Sequence, residues 1–319
     1  MIYKPSWFRD GEVFVSYAPT VGINKDGEEL FIVDAATGTR TSDIDDILAE
    51  DVAALVDMGI TTPTSRWVKR EQMTDRIIAV PVYFDERPLE DLSDLMALPE
   101  MADWETKTIG QLALERALIL KAGHGSPSAD RRTGTIPYIK VSDIRAGQIN
   151  INPTNRVTDV VAEAYWRGKN SGLVAYDLIT AVRTSKNIGE FALLMPGQER
   201  IVLTKEVLIM RPGPTAPFDN FYLLWAMTLR AVRRQWNRIV FMQTNREDVG
   251  IRYREIRIPV PPNAEAAKKA SRPFRGYYLG TQELRERFLA YLETDNRHYV
   301  FMSSAAAVDD PEPDDTEDV

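Results

Sequence analysis

Cysteine is absent from the 319 residues, and histidine occurs only at His124 and His298. That removes disulfides, thiolate nucleophiles and cysteine-ligated zinc, and it leaves too few imidazoles for a hydrolase built on a histidine-held metal. No apolar run reaches the ~18 residues a membrane helix requires. The opening MIYKPSWFRDGEVF also lacks the apolar core of a secretory signal. Phosphate-cradling loops of the forms GxxxxGK[ST] and GxGxxG are missing. GHGSP (123–127) is a poor nucleophile elbow, because Pro127 follows Ser126, no strand runs into it and His124 stands beside the serine. A loop histidine with its hydrogen bonds satisfied is the better reading. No carboxylate pair stands out from the acidic helix faces, so the chain reads as non-catalytic, with no metal and no cofactor expected.

What remains is a globular composition, 44% hydrophobic and 27% charged, in a chain long enough for two domains. The formal net charge of −8 is unevenly spread. Residues 1–110 hold 22 acidic against 10 basic side chains, whereas 121–186 hold 10 basic against 5 acidic and 200–257 hold 11 against 5. DDPEPDDTEDV (309–319) carries 7 acids and no base, and reads as disordered. An acidic half joined to a basic half admits a nucleic-acid partner despite a low isoelectric point.

Periodicity divides the chain further. EVFVSY (12–17) alternates like a strand, and Asp26-Gly27 supplies a turn. TSDIDDILAEDVAALVDMG predicts a helix capped by Ser42 or Asp43 and ended by Gly59. YFDERPLEDLSDLMALPE predicts a shorter one. Strands are expected at 135–141, 175–181, 188–194, 200–209 and 253–260. One long helix is expected over 218–237, with Leu224, Trp225, Val232 and Trp236 on its apolar face and Arg230, Arg233, Arg234 and Asn237 opposite. AEAAKKA and TQELRERFLAYLE predict two C-terminal helical pieces, the second with a Leu284, Phe288, Tyr291 and Leu292 stripe suited to docking on another helix. The aromatics fall mostly in such stripes and read as core.

Three segments in order carry a resemblance: GTIPYIKVSDIRAGQI from residue 134, LVAYDLITAVRTSKNIGEFALL (173–194) and IRYREIRIPVPP (251–262). Ile136, Pro137, Tyr138, Lys140, Val141, Ser142, Asp143 and Ile144 match the first element of the pattern. Asp177, Leu178, Ile179, Ile188 and Gly189 match the second, and Ile258 through Pro262 the third. Together they resemble the target-recognition domain of type I restriction–modification specificity subunits, and equally the recognition domain fused to some N6-adenine DNA methyltransferases. The [DNS]PP[YF] motif of such methyltransferases is absent, and so is a glycine-rich adenosylmethionine loop.

The resemblance implies an α+β protein of the prokaryotic cytoplasm: an acidic connector and partner-docking segment (1–104), a β-rich DNA target-recognition domain (105–262), a helical segment (263–302) and an acidic tail (303–319). It implies double-stranded DNA as ligand, a separate N6-adenine methyltransferase (or nuclease) as catalytic partner, and leaves open pairing with a second copy. The candidate DNA-binding side chains are basic or amide-bearing. They are Arg131 and Arg132 in a loop, Lys140 and Arg145 around the VSDI turn, and Arg183, Ser185, Lys186 and Asn187 at a hairpin tip. Arg230, Arg233 and Arg234 join them from a helix stretch with no acid between Asp219 and Glu247, and Gln243, Asn245 and Arg246 from a second loop. Arg and Lys suit phosphates and guanine, Asn and Gln adenine. The other reading is a protein-binding adaptor, such as an antirestriction mimic, that never touches DNA.

Overall fold

The computed structural model describes residues 4–74, 78–151, 154–183, 186–243 and 246–293 of an α+β chain; the acidic tail lies outside them. The chain forms two compact units, Met1–Pro88 with Asn237–Ile239 and Leu89–Trp236 with Val240–Val319.

In the first unit β1 (Glu12–Ser16) pairs antiparallel with β4 (Ser65–Lys69), which opposes Phe14 to Trp67. Their rings meet edge-on, 5.5 Å between centroids, the kind of cross-strand contact that stabilises an antiparallel pair. β2 (Phe31–Val33) and β3 (Arg40–Ile44) form a hairpin, and α1 (Ile47–Ala53) runs into a π-helical turn at Ala54–Met58 that ends at Gly59, φ +69°. The helix thus stops where glycine predicts, but it does not begin at Ser42 or Asp43. Those residues lie in β3, paired with β2, and the cap is Asp46, whose Oδ1 accepts the Ala49 N–H at 2.9 Å. Aspartate serves as well as serine there, and pairing decides between them. Asp51, fully buried, accepts the hydroxyls of Ser16 (2.6 Å), Thr64 (2.7 Å) and Thr62, so its charge is held by hydrogen bonds. After β4 a short α2 (Arg70–Thr74) follows, and α3 (Arg87–Met96) carries the chain into the second unit.

The second unit is built on a four-stranded antiparallel sheet in the order β12 (Phe191–Leu193), β11 (Leu178–Ala181), β14 (Val207–Pro212), β6 (Leu118–Ala122). A three-stranded mixed sheet, β10 (Arg156–Val157), β7 (Ile136–Ile139), β13 (Val202–Leu203), adjoins it, with β7 and β13 parallel. Ile139, Ile179, Leu194, Leu203 and Ile209 form the main core. α5 (Asp159–Trp166) closes a second cluster over Tyr138 and Val157, its Trp166 indole donating to the Ile201 carbonyl at 2.9 Å. β5 (Glu105–Thr108) pairs with β17 (Arg257–Val260), and a Thr108–Gln111 capping box starts α4 (Ile109–Leu114). Between core strands, the Asp177 carboxylate and the Arg211 guanidinium form a bidentate pair, Nε–Oδ1 and Nη2–Oδ2 both 2.5 Å.

Two helices differ from their predicted extent. The stretch 218–237 is α6 (Asn220–Thr228) and α7 (Arg230–Ile239), broken at Leu229, whose ψ of 132° is extended. α6 is buried nearly all round, and a straight continuation could not also keep arginines in water; the break re-aims α7 so that Val232, Gln235 and Trp236 are buried instead. Conversely the two C-terminal pieces are one 30-residue helix, α8 (Ala264–Glu293), through Pro273. Its buried positions Ala267, Ser271 and Tyr278 continue at helical spacing across the proline, while Pro273 itself is exposed. The backbone bond that proline removes therefore lies on the wet side, where a carbonyl can bond water.

His124 has both ring nitrogens engaged: Nδ1 accepts the Leu203 N–H at 2.9 Å and Nε2 faces the Ser171 carbonyl at 2.9 Å. Burial lowers its pKa, with the Lys121 charge adding and the Ser171 carbonyl opposing. A folded pKa below the unfolded one means that the unfolded chain binds the extra proton first. Stability should therefore be full above about pH 6.5 and fall as pH drops toward the folded pKa, by at most about 1.4 kcal/mol per pH unit for one proton. Urea midpoints of the wild type and His124→Gln between pH 7.5 and 5 check this: the variant should have the shallower slope, and equal slopes would refute the assignment.

Candidate nucleic-acid interface

Three hairpins converge in the second unit. In the first, β8 (Ile144–Arg145) and β9 (Gln148–Ile149) are joined by Ala146 and Gly147 at φ +49° and +75°. Both values are positive, as a type I′ turn needs. The second is the 182–190 connection between β11 and β12. The third is β15 (Phe241–Gln243) with β16 (Arg246–Asp248).

Hydrogen bonds lock them together. The Asn187 amide donates to the Ile144 carbonyl (2.9 Å) and the Leu193 N–H to the Gly147 carbonyl (3.2 Å), which ties the second hairpin to the first. Val249 N–H donates to the Val182 carbonyl (3.0 Å) and Arg183 Nε pairs with Asp248 Oδ2 (2.9 Å), which ties it to the third.

The rim so formed carries Arg145, Arg183 and Lys186, all exposed. Arg145 Nε donates to the Ser142 carbonyl at 3.1 Å, leaving the outer edge of its guanidinium for a ligand. Gln243 and Arg246 are directly opposed on the third hairpin's backbone; Ser185 and Asn245 lie outside the described residues. Asn187 has its amide engaged by Ile144, so its role within the fold is to hold one tip to another.

The VSDI turn shows the same division of labour. Asp143 is buried, its carboxylate accepts the Lys140 N–H at 2.8 Å, and its own N–H returns to the Lys140 carbonyl at 3.0 Å. The segment is a buried strand closed by a capped turn. Lys140 is half-buried at its start.

α7 backs the second tip. Arg233 is half-buried, and burial lowers its pKa, with Glu190 opposing. Its guanidinium rests on Gly189: a Cβ there would lie 2.7 Å from Arg233 Nη1 and 2.6 Å from Trp236 Cγ. Gly189 also has φ +77°. Gly189→Ala should therefore destabilise by about 2–4 kcal/mol, the left-handed backbone and overpacking adding. A thermal-unfolding midpoint within a degree of wild type would contradict this contact. Arg230, one helical turn earlier than Arg233, is exposed.

Arg234 is not the unpaired helix cation that its acid-free neighbourhood predicts. It forms an ion pair with Asp91 of α3. Arg132 is also engaged, its Nε and Nη2 donating to the Pro127 carbonyl at 3.1 and 3.0 Å and its guanidinium facing the Tyr138 ring at 5.3 Å. Arg131 is exposed. Both flank the start of β7, whereas Lys140 follows its end, so the structure does not bring them to the rim.

A cavity of about 570 Å³ opens at the root of the tips, lined by Gly147, Gly189, Phe191, Arg233, Phe274 and Tyr278. The Tyr278 hydroxyl donates to the Gly147 carbonyl at 2.8 Å. α8 thus supports the first hairpin from 131 residues away in sequence. Nothing local in either stretch signals that contact.

No protein-family model matches the chain, and no curated protein matches it in sequence. Among solved structures it is similar to the type I restriction–modification system S subunit from M. genitalium, with 16% identity, 61% of this chain and 42% of that chain covered, and a TM-score of 0.38. It is similar also to the HsdS subunit from Thermoanaerobacter tengcongensis, with 12% identity, 76% and 57% covered, and a TM-score of 0.34. A third similar structure, described as the basis of complex assembly and conformational transition of the type I R-M system, gives 12%, 77% and 65%, with a TM-score of 0.36. The chain spans 42% to 65% of the length of these three.

Proposed function

We propose that the second unit reads duplex DNA, and that the chain delivers a separate N6-adenine methyltransferase to its target in a restriction–modification or related phage-defence system. The single observation that carries this is the set of three hairpins tied to one another by hydrogen bonds, with exposed Arg145, Arg183 and Lys186 on them and Arg230 on the helix behind. A B-DNA major groove about 12 Å wide admits a two-stranded ribbon. Cations around such a rim hold phosphates and set orientation, and a few tip side chains then meet base edges. Each good bidentate contact contributes roughly 1–3 kcal/mol of discrimination. Hairpin stems already tied to one another suit this work, because a reader that must order itself on binding loses affinity to entropy. The chain itself acts without catalysis in this reading; methyl transfer belongs to the partner.

The test is binding of the full chain to a random-sequence duplex pool across a salt series, with sequencing of the bound fraction. Binding that weakens with salt and enriches one short motif is the expected result. Absence of binding even at about 50 mM salt, where phosphate contacts are strongest, would overturn it in favour of an adaptor that binds protein only.

A further inference from the structure

The first unit, which the DNA reading leaves without a task, has an unusual surface. Of the large apolar side chains exposed among the described residues, more than half fall within residues 8–60. Scattered exposed apolar residues are ordinary; a contiguous set marks an interface. Here six of them fall together. On α1 and its π turn, Leu48, Val52 and Val56 are exposed at i, i+4 and i+8, alongside the buried Asp51, Ala54 and Leu55. The backbone bonds Leu48 N–H to Thr20 O (3.2 Å) and Gly22 N–H to Asp45 O (3.0 Å) bring exposed Val21, Ile23 and Ile44 beside the start of that stripe.

Charge restricts what can cover it. Residues 21–60 hold ten acids and two bases, and Asp43, Glu50 and Asp57 are exposed around the stripe. Both bases are occupied: Arg40 lies over the Phe31 ring at 3.6 Å and Lys25 pairs with Asp26 at 3.7 Å. DNA is repelled by such a surface. A second copy docking the same face on itself would set acid against acid. An inclined ridge of three residues at i+4 spacing, about 12 Å along the axis, is what another helix packs on.

We infer that this face docks an amphipathic helix of a separate protein, its apolar stripe bordered by lysine and arginine. The inference deepens the reading above, in which that protein is the catalytic partner, and the two can fail separately.

The experiment uses the full chain and two 18-residue synthetic helices of one leucine pattern, one with lysine and the other with glutamate at every polar position. Fluorescence anisotropy should show the lysine helix bound at least tenfold more tightly. The triple variant Leu48→Gln, Val52→Gln, Val56→Gln, which keeps every acid, should lose at least tenfold of that affinity while still binding the duplex pool. Should the triple variant unfold, Glu50→Gln with Asp57→Asn gives the second reading, and the lysine helix should again bind more weakly. Equal capture of both peptides, or undiminished capture by the triple variant, overturns the inference. So does self-association of the wild type that the triple variant abolishes, because the occupant is then a second copy. Peptide capture with no DNA binding leaves this face standing and removes the DNA reading alone.

Discussion

Arg211→Met is expected to cost the second unit about 3–5 kcal/mol, the penalty for leaving a buried charge without its counterion. The Asp177 side chain is fully buried and Arg211 is 21% exposed, so little water can take the place of the guanidinium. Asp177 also accepts the Val174 N–H at 3.0 Å, and Arg211 Nη2 reaches the Gly172 carbonyl at 3.1 Å, which makes the pair the joint between β11, β14 and the loop before them. The hydrogen bond and charge of Asp177 raise the Arg211 pKa, so the cation persists at every pH at which the fold survives. The informative comparison is the double variant Asp177→Leu, Arg211→Met. Replacing both members of a buried pair by apolar groups is often neutral, so the double variant should recover much of what the single one loses. Urea unfolding followed by circular dichroism measures both. A single-variant loss below about 1 kcal/mol would mean that the pair is solvated in solution.

The second large effect is on DNA. Arg145→Ala, Lys186→Ala and Arg230→Ala together remove three exposed cations from the rim and from α7 without touching the core. Each phosphate contact contributes about 0.9 to the slope of log affinity against log salt. Losing three should flatten that slope by about 2.7 and weaken binding at 0.1 M salt by about 10²–10³-fold. The Arg233→Ala, Arg234→Ala pair that helical spacing singles out is a poorer probe. Arg233 is packed on Gly189 and Arg234 is paired with Asp91, so those changes mix stability with binding. An unchanged slope for the triple variant, with the fold intact, would remove these residues from the interface.

Much of the second unit's framework is legible in its residues. Ile136 to Ile139, Leu178 to Ala181 and Phe191 to Leu193 are buried strands because each is a short apolar run between turn residues, a local signal. Gly59 ends a helix for a local reason too, whereas His124 is satisfied by Leu203 and Ser171, 79 and 47 residues away. What could not be read depended on partners far along the chain. The break at Leu229 follows from the need to bury all sides of α6, and the unbroken α8 from a docking face that outweighs one proline. The candidate site divides in the same way. Side-chain chemistry picked out Arg145, Lys186 and Asn187 alike. Only the fold distinguishes the two exposed cations from the amide already bonded to Ile144, and Arg234 from a free cation by supplying Asp91.

The locking of the hairpin tips has an evolutionary side. Gly147 and Gly189 set the tips by backbone conformation, and Asp143 and Asn187 hold them through main-chain atoms, so none of these four depends on what stands at positions 145 or 186. Those two positions can drift without disturbing the scaffold beneath them. If the proposed DNA reading holds, a lineage could change its preferred target by substitutions at the rim alone, and a library randomised at 145 and 186 would sample new targets from folded proteins.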